Sequence, residues 1–377
     1  MSGAATGKVA VYGITRHGLE LGGRIAPALG ADFYVSERFK DELPDGAICL
    51  PKPFAGPLAE VFSLYECHVF IFSVGAAVRL IAPHIKSKKT DPAVVCVDDA
   101  GQFAISLLSG HTGRGNDFTR QVAAAISARA VITTASDSIG TLTVDILGRE
   151  LGWSLADPDH NVTRGCAAVV NANPVLVVQE TGEAHFWPAD QALPPGVQYA
   201  TSLDGIRPED WDILLVVTDR DIRRRQPAVW ENAVVYHPRS LVLGIGCDKN
   251  TPFELVERGV LGLLEEQGLA PAAVRELASI DLKKEEPALL ALSEKYGWPL
   301  RTFPAALLDT VEGIENPSEV VKKYTGCRAV AEAACLHAAG ADRLLMPKEK
   351  YTEEGAERNM TLAIARVPFA TRRLNKE

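Results

Sequence analysis

PLAEVFSLYE (57–66), followed directly by CHVFIFSVG (67–75), is a helical stretch running into a fully apolar strand. A strand without polar alternation is buried on both faces, as in a parallel sheet with helices on either side. The same kind of unit stands upstream. VAVYGI (9–14) reads as a buried strand, Leu21, Ile25 and Leu29 recur at helical spacing over 17–29, and ADFYVS (31–36) returns to strand. Strands alternating with helices define an α/β chain that opens with a doubly wound domain. Downstream, PAVVCV (92–97) and FAISLLS (103–109) flank a turn signal at Ala100-Gly101, which predicts a hairpin and therefore a mixed sheet.

The chain has 377 residues, more than one ordinary domain of roughly 150. The pattern divides it into an N-terminal α/β domain (1–138), a middle region (139–238) and a C-terminal α/β domain (239–370) that opens at SLVLGIGC (240–247). In the middle, 141–153 and 162–170 read as helices and 174–180 and 211–219 as strands, around an irregular lobe over 181–210. In the last domain 251–269 reads as a helix, with Thr251 as N-cap, Pro252 at the first position and Glu254 as a capping-box acid.

Composition excludes several classes. Hydrophobic residues at 47% and charged residues at 23% rule out a disordered chain. A net charge of −9 argues against a dedicated nucleic-acid binder, while leaving room for local basic pockets. No apolar run approaches the roughly 18 residues a bilayer span needs. The N-terminus MSGAATGK has no apolar signal core, and the seven cysteines show no CxxC, so reduced thiols in the cytoplasm are expected.

The densest chemistry lies in VDDAGQFAISLLSGHTGRGND (97–117). Ser109, Gly110 and His111 end the hairpin, and Gly113, Arg114, Gly115 and Asn116 lead into a helix for which Asn116 is the expected N-cap. Glycines let backbone approach a ligand, free N–H groups at a helix start favour an anion, and an imidazole moves protons near neutral pH. Asp98 and Asp99 end the preceding strand and point to opposite faces, so one of them can face the His111 loop. Gly75 marks a strand-to-helix turn, and Arg79 just beyond it is suited to clamping a carboxylate. ITTASDS (132–138) sets Thr134 and Asp137 at a strand end, a common place for ligand contacts and equally for N-capping. GIGCDKNTPFE (244–254) has Gly244 and Gly246 but Lys249 where a dinucleotide fingerprint needs glycine, so an anion turn with Lys249 and Thr251 fits better than a nucleotide site. No spacing suggests a built-in metal site.

GAAVRLIAPHIKSKKTDPAVVCVDDAGQFAISLLSGHTGRGND (75–117) resembles the hallmark stretch of the CbiG family of cobalamin (vitamin B12) biosynthesis. LVLGIGCDKNTPFELV (241–256), ASIDLKKEEPALLALSEKYGWPL (278–300) and AVAEAACLHAAGA (329–341) resemble that family's C-terminal domain, which also occurs alone as CobE. Two departures stand out: Arg114-Gly115 where the family has Gly-Ala, and Asp248-Lys249 where a basic pair is common. The resemblance implies a hydrolase that opens the δ-lactone of cobalt-precorrin-5A and expels the extruded carbon with its methyl as acetaldehyde, giving cobalt-precorrin-5B. Water is then the co-substrate, the cobalt of this corrin precursor arrives with the substrate, no cofactor is expected, and a homodimer is allowed.

The resemblance assigns no catalytic set. The residue chemistry offers His111 as acid and base, Asp98 or Asp99 to orient it, Ser109 beside it, N–H groups of Gly113 to Asn116 for the oxyanion, and Arg79 and Lys249 for peripheral carboxylates. A large ligand favours a cleft between domains. Two other classes stay open: a non-catalytic corrinoid or tetrapyrrole carrier of the same pathway, and a nucleotide-dependent oxidoreductase using 244–246.

Overall fold

The computed structural model of the protein describes residues 8–188 and 190–370. It is an α/β chain with three mixed sheets and divides into two compact units, Met1–Ile146 and Leu147–Glu377.

The first unit holds a seven-stranded sheet. Its strands are β1 (Val9–Gly13), β2 (Asp32–Ser36), β3 (Ile48–Leu50), β4 (Cys67–Ile71), β5 (Ala93–Val97), β6 (Phe103–Leu108) and β7 (Arg129–Val131). The spatial order is β3-β2-β1-β4-β5-β6-β7. Successive side chains of one strand enter opposite cores. Val69 and Ile71 of β4 pack with Val11, Val95 and Phe118 on one face, and Phe70 packs with Tyr12, Leu58 and Phe62 on the other. Double-sided burial is the cause of the unbroken apolar runs.

All pairings in this sheet are parallel except β5 with β6. That exception decides where the chemistry goes. Val94 pairs with Leu108 and Val97 with Ala104, so the chain leaves β6 at the edge where β5 begins. Residues that follow β4 and β5 lie at the opposite edge, about 17 Å away along a strand of five residues. β7 runs parallel to β6, so the segment after β7 returns to the edge of the His111 loop.

The second unit holds two five-stranded sheets. One contains β8 (Ser154–Leu155), β9 (Val175–Gln179), β10 (Val197–Ala200), β11 (Ile213–Val217) and β12 (Ala233–His237), in the order β10-β9-β11-β12-β8. The other contains β13 (Leu241–Cys247), β14 (Val274–Ile280), β15 (Leu300–Phe303), β16 (Met346–Thr352) and β17 (Asn359–Arg366), in the order β15-β14-β13-β17-β16. The described residues contain no helix long and apolar enough to cross a membrane.

Two helix expectations need correction. The stretch 141–153 forms only short 3-10 turns at Val144–Ile146 and Arg149–Leu151, because Gly148 and Gly152 adopt φ values of 71° and 79° that end a right-handed helix. The helix expected at 251–269 spans Phe253–Gln267, and Thr251 does not cap it: its hydroxyl donates to the Asp248 carbonyl at 2.9 Å.

Candidate active site

His111 stands on the turn between β6 and the helix Gly115–Ile126. The turn is held by its own backbone. The N–H groups of Arg114, Gly115 and Asn116 donate to the carbonyls of His111, Ser109 and Gly110 at 2.9, 3.0 and 2.9 Å. Gly113 is required by close approach, since a Cβ there would sit 2.5 Å from the Ser109 Cβ. The helix cap is Arg114, in the left-handed region at φ 62°, and Asn116 is buried in the first turn rather than capping it.

This winding presents the imidazole to the segment after β7. Its Nε2 lies 3.0 Å from Asp137 Oδ2 and 3.1 Å from Ser136 Oγ, and its Nδ1 lies 3.2 Å from Asp145 Oδ2. The ring is largely buried, with 18% of the side chain exposed. Asp137 is gripped from several sides. Oδ2 also accepts from Asn116 Nδ2 and Thr134 Oγ1, each at 3.0 Å, and Oδ1 accepts from Arg120 Nη2 at 2.5 Å. Asn116 is itself fixed, with Ser106 Oγ donating to its Oδ1 at 2.8 Å and its Nδ2 donating to Thr134 Oγ1 at 2.9 Å.

The charges follow from these contacts. The hydrogen bond from His111 to Asp145, reinforced by the charge of Asp145 and by Asp137, raises the His111 pKa above the ordinary histidine value against the opposing effect of burial. Burial pushes Asp137 upward, but the bonds from Arg120, Thr134 and His111 together outweigh it and hold the carboxyl below its usual range. The contacts therefore favour the protonated ring between Asp137 and Asp145, with Arg120 beside Asp137.

Of the residues singled out from sequence, His111, Asn116, Thr134 and Asp137 join this network. Gly110 and Gly113 shape its turn. Asp98 and Asp99 do not orient His111. They follow β5 at the far edge, where Asp98 accepts from the Phe103 N–H at 2.6 Å and Asp99 from Thr15 Oγ1, with His17 Nδ1 at 3.1 Å. Gly75 and Arg79 follow β4 at that same far edge, and Arg79 Nη1 donates to the Gly75 carbonyl of its own helix at 2.9 Å. Ser109 donates to the Asp91 carbonyl at 2.9 Å, tying the turn to the loop before β5. Arg114 is half exposed over the Phe118 ring, with Asp117 3.7 Å away. An oxyanion role for the N–H groups of Arg114, Gly115 and Asn116 is ruled out because loop carbonyls occupy them; in that series the Gly113 N–H alone meets no acceptor among the described residues.

Ser136 and Asp145 are the partners that sequence reading passed over. Ser136 stands beside Asp137 in ITTASDS, and Asp145 lies in the segment read as a helix. A histidine followed by acids 26 and 34 residues later carries no spacing signal; only the order of β6 and β7 brings them together.

In the second unit, Gly246 and Lys249 line a cleft of about 940 Å³ within the C-terminal domain. Lys283, Arg328 and Lys348 line it too, with Tyr324 exposed at its rim. Lys283 is paired with Glu286 and Arg328 with Asp309, and Lys348 Nζ donates to the Asn316 carbonyl. Lys249 has no such partner among the described residues and is exposed. Gly244 does not face the cleft. A Cβ there would lie 1.8 Å from the Ala331 carbonyl oxygen, so this glycine admits the helix Ala331–Ala339 against β13. Burial pushes the Cys247 thiol up to about 11, which makes it a poor nucleophile.

Comparison with known proteins covers the chain in three consecutive pieces. Family models described as Cobalamin synthesis G N-terminal, Cobalamin biosynthesis central region and Cobalamin synthesis G C-terminus match residues 57–137, 142–238 and 241–365. A protein named cobalt-precorrin-5A hydrolase from Priestia megaterium is 38% identical over 368 residues, 96% of each chain. One of the same name from Salmonella typhimurium is 33% identical over 330 residues, 86% of this chain and 90% of its own. Protein CobE from Sinorhizobium sp is 42% identical over 107 residues in the C-terminal region, 28% of this chain and 70% of its own. With the three segments matched in order and relatives aligned along nearly the full length, the chain belongs to the CbiG family of cobalamin biosynthesis.

Proposed function

We propose that this chain is a cobalt-precorrin-5A hydrolase and that the His111 cluster is where its chemistry occurs. The observation that carries the assignment is one sheltered imidazole with a carboxylate at each ring nitrogen, 3.0 and 3.2 Å away. Ester cleavage needs a proton acceptor for water and a proton donor for the departing oxygen. The second stage needs a base for the freed carbinol, so that the carbon–carbon bond breaks and acetaldehyde leaves. A histidine with carboxylate partners can serve such proton transfers, each worth about 10²–10⁴ in rate.

The cobalt enters with the substrate in this reading, and the protein supplies proton transfer and positioning. The C-terminal cleft, with apolar rim residues and a Lys249 that has no ion-pair partner among the described residues, suits a macrocycle carrying peripheral carboxylates, and its volume is in the usual range for small-molecule sites of about 300–1,000 Å³. Gly246 sits at its wall, whereas Gly244 and Thr251 serve packing and turn geometry.

The test is acetaldehyde release from cobalt-precorrin-5A by His111→Ala, alongside equilibrium binding of the same compound. Loss of release by more than about 10² with binding retained supports the assignment. Release at the wild-type rate removes His111 from the mechanism. If the wild-type protein binds the corrinoid and releases no acetaldehyde, it is a carrier.

A further inference from the structure

We infer that Asp145 takes the proton from the attacking water, and that His111 starts the cycle as an acid and becomes a base only for the second stage. This rests on the assignment of the chemistry to the His111 cluster.

Asp137 cannot serve as the base: both its oxygens are used, with His111, Asn116 and Thr134 on Oδ2 and Arg120 on Oδ1. A carboxylate stabilised by that many donors is a weak proton acceptor. His111 cannot be the first base either. Each of its ring nitrogens faces a carboxylate, which favours the doubly protonated ring, and an imidazolium has no lone pair to offer. Thr134 Oγ1 already accepts from Asn116 and donates to Asp137.

Asp145 is different. Its Oδ2 meets His111, while its Oδ1 is enclosed and meets no hydrogen-bond donor among the described residues. A buried acceptor without a donor carries a desolvation cost, and in this reading its partner is the attacking water. Its backbone is a single 3-10 turn, Val144–Ile146, in which the Ile146 N–H donates to the Thr143 carbonyl. Among the described residues Asp145 meets the cluster through His111, while Asp137 is held by four donors.

The atoms balance as follows. Asp145 takes a proton from water as the water oxygen bonds to the lactone carbonyl carbon and the carbonyl π pair moves onto oxygen. That pair returns, the ring carbon–oxygen bond breaks, and the departing oxygen takes a proton from His111 to become the carbinol hydroxyl. His111 is now neutral. It removes the carbinol proton, the oxygen pair becomes the aldehyde π bond, and the carbon–carbon bond breaks with its electrons passing into the conjugated macrocycle. Acetaldehyde departs and the imidazolium is restored. The new carboxylic acid and Asp145 each give one proton to solvent.

The wild-type protein provides a test that needs no variant, using cobalt-precorrin-5A with its lactone closed and the same compound with the lactone opened beforehand by mild alkali. Asp137 and Asp145 face His111, and Arg120 and Asp117 lie one contact further out. Opening of the closed lactone needs the imidazolium, so its rate falls as pH rises through the His111 transition. Acetaldehyde release from the opened carbinol needs neutral His111, so its rate rises over the same interval. If both rates rise together, His111 is the base throughout and the inference is wrong.

Asp145→Asn gives an independent reading. Lactone opening drops by about 10²–10⁴ while release from the opened carbinol changes by less than about tenfold. If the variant opens the lactone at the wild-type rate, or loses both stages equally, Asp145 is not the first base. If His111→Asn performs both stages normally, the assignment of the cluster itself fails, which is a different outcome from either of those.

Discussion

Arg366 holds Asp219 in a two-pronged pair, its Nε and Nη2 lying 2.6 and 2.8 Å from the two carboxylate oxygens. Asp219 follows β11 and is buried, and Arg366 ends β17, so the pair links the two sheets of the second unit. Ser240 Oγ donates to Asp219 Oδ2 at 2.9 Å, and the Ala270 N–H donates to the Asp219 carbonyl at 2.8 Å. Arg366→Ala would leave an enclosed carboxylate with a single hydroxyl donor to its oxygens. Arg366 is 39% exposed and Asp219 1%, so the pair is half-buried, and losing the charged donors costs about 1.5–3 kcal/mol. Urea unfolding of the full chain should show that loss; a change below about 1 kcal/mol would mean that the pair behaves like an exposed one.

His111 links stability to pH through the same contacts that fit it for proton transfer. Its pKa is raised, first by the bond to Asp145. A raised value means the folded state holds the proton more tightly than the unfolded state. The stabilisation is therefore complete below the unfolded value, near 6.5, and disappears as pH rises through the higher folded value. The difference in Tm between wild type and His111→Gln should be largest in mild acid and shrink toward alkaline pH. A difference that grows with pH would have the wrong sign for an imidazolium between carboxylates.

His68 predicts the opposite sign. It is buried on β4, with Nδ1 2.9 Å from Tyr12 Oη and Nε2 2.9 Å from the Phe62 carbonyl. Burial pushes its pKa down to about 4, against a smaller upward pull from the bond to Phe62. The neutral ring is stabilising above the unfolded value of 6.5, and this is lost as pH falls toward 4. His68→Gln should therefore cost stability at neutral pH, about 1–3 kcal/mol through disturbed buried partners, yet show a shallower fall in Tm between pH 6.5 and 4. An equally steep fall in the variant would place the acid sensitivity elsewhere.

These residues also mark how far the sequence could be read. The apolar runs at 9–14, 67–75 and 92–97 are legible because burial on both sheet faces removes all polar alternation. The hairpin at 92–109 is legible from its turn, but its consequence is not: strand reversal sends His111 to one edge and leaves Asp98, Asp99, Gly75 and Arg79 at the other. Pairing the histidine with the acids nearest in sequence fails for that reason. Asp145 is hidden twice, by a segment whose apolar spacing looks helical until Gly148 and Gly152 turn left-handed, and by a partner 34 residues away. Gly244 and Gly246 look like ligand glycines because close approach of any neighbour demands the same residue, and for Gly244 the neighbour is the helix Ala331–Ala339.

Lys249 separates a binding role for the C-terminal cleft from a purely structural one. It follows β13 on the cleft wall, it is exposed, and no carboxylate or carbonyl neutralises it among the described residues. An unpaired ammonium beside apolar rim residues favours an anion with a hydrophobic body. Because Lys249 has no partner to lose, Lys249→Glu should leave Tm nearly unchanged. It should weaken equilibrium binding of the cobalt-corrinoid polycarboxylate to the full chain by about tenfold or more, since one charge-assisted contact is worth about 1.5–3 kcal/mol and the substitution adds repulsion. The loss should diminish as salt is raised, since an exposed charge is screened over about 10 Å at 0.1 M ionic strength. Binding that is unaffected by the reversal at low salt would remove Lys249 from ligand recognition.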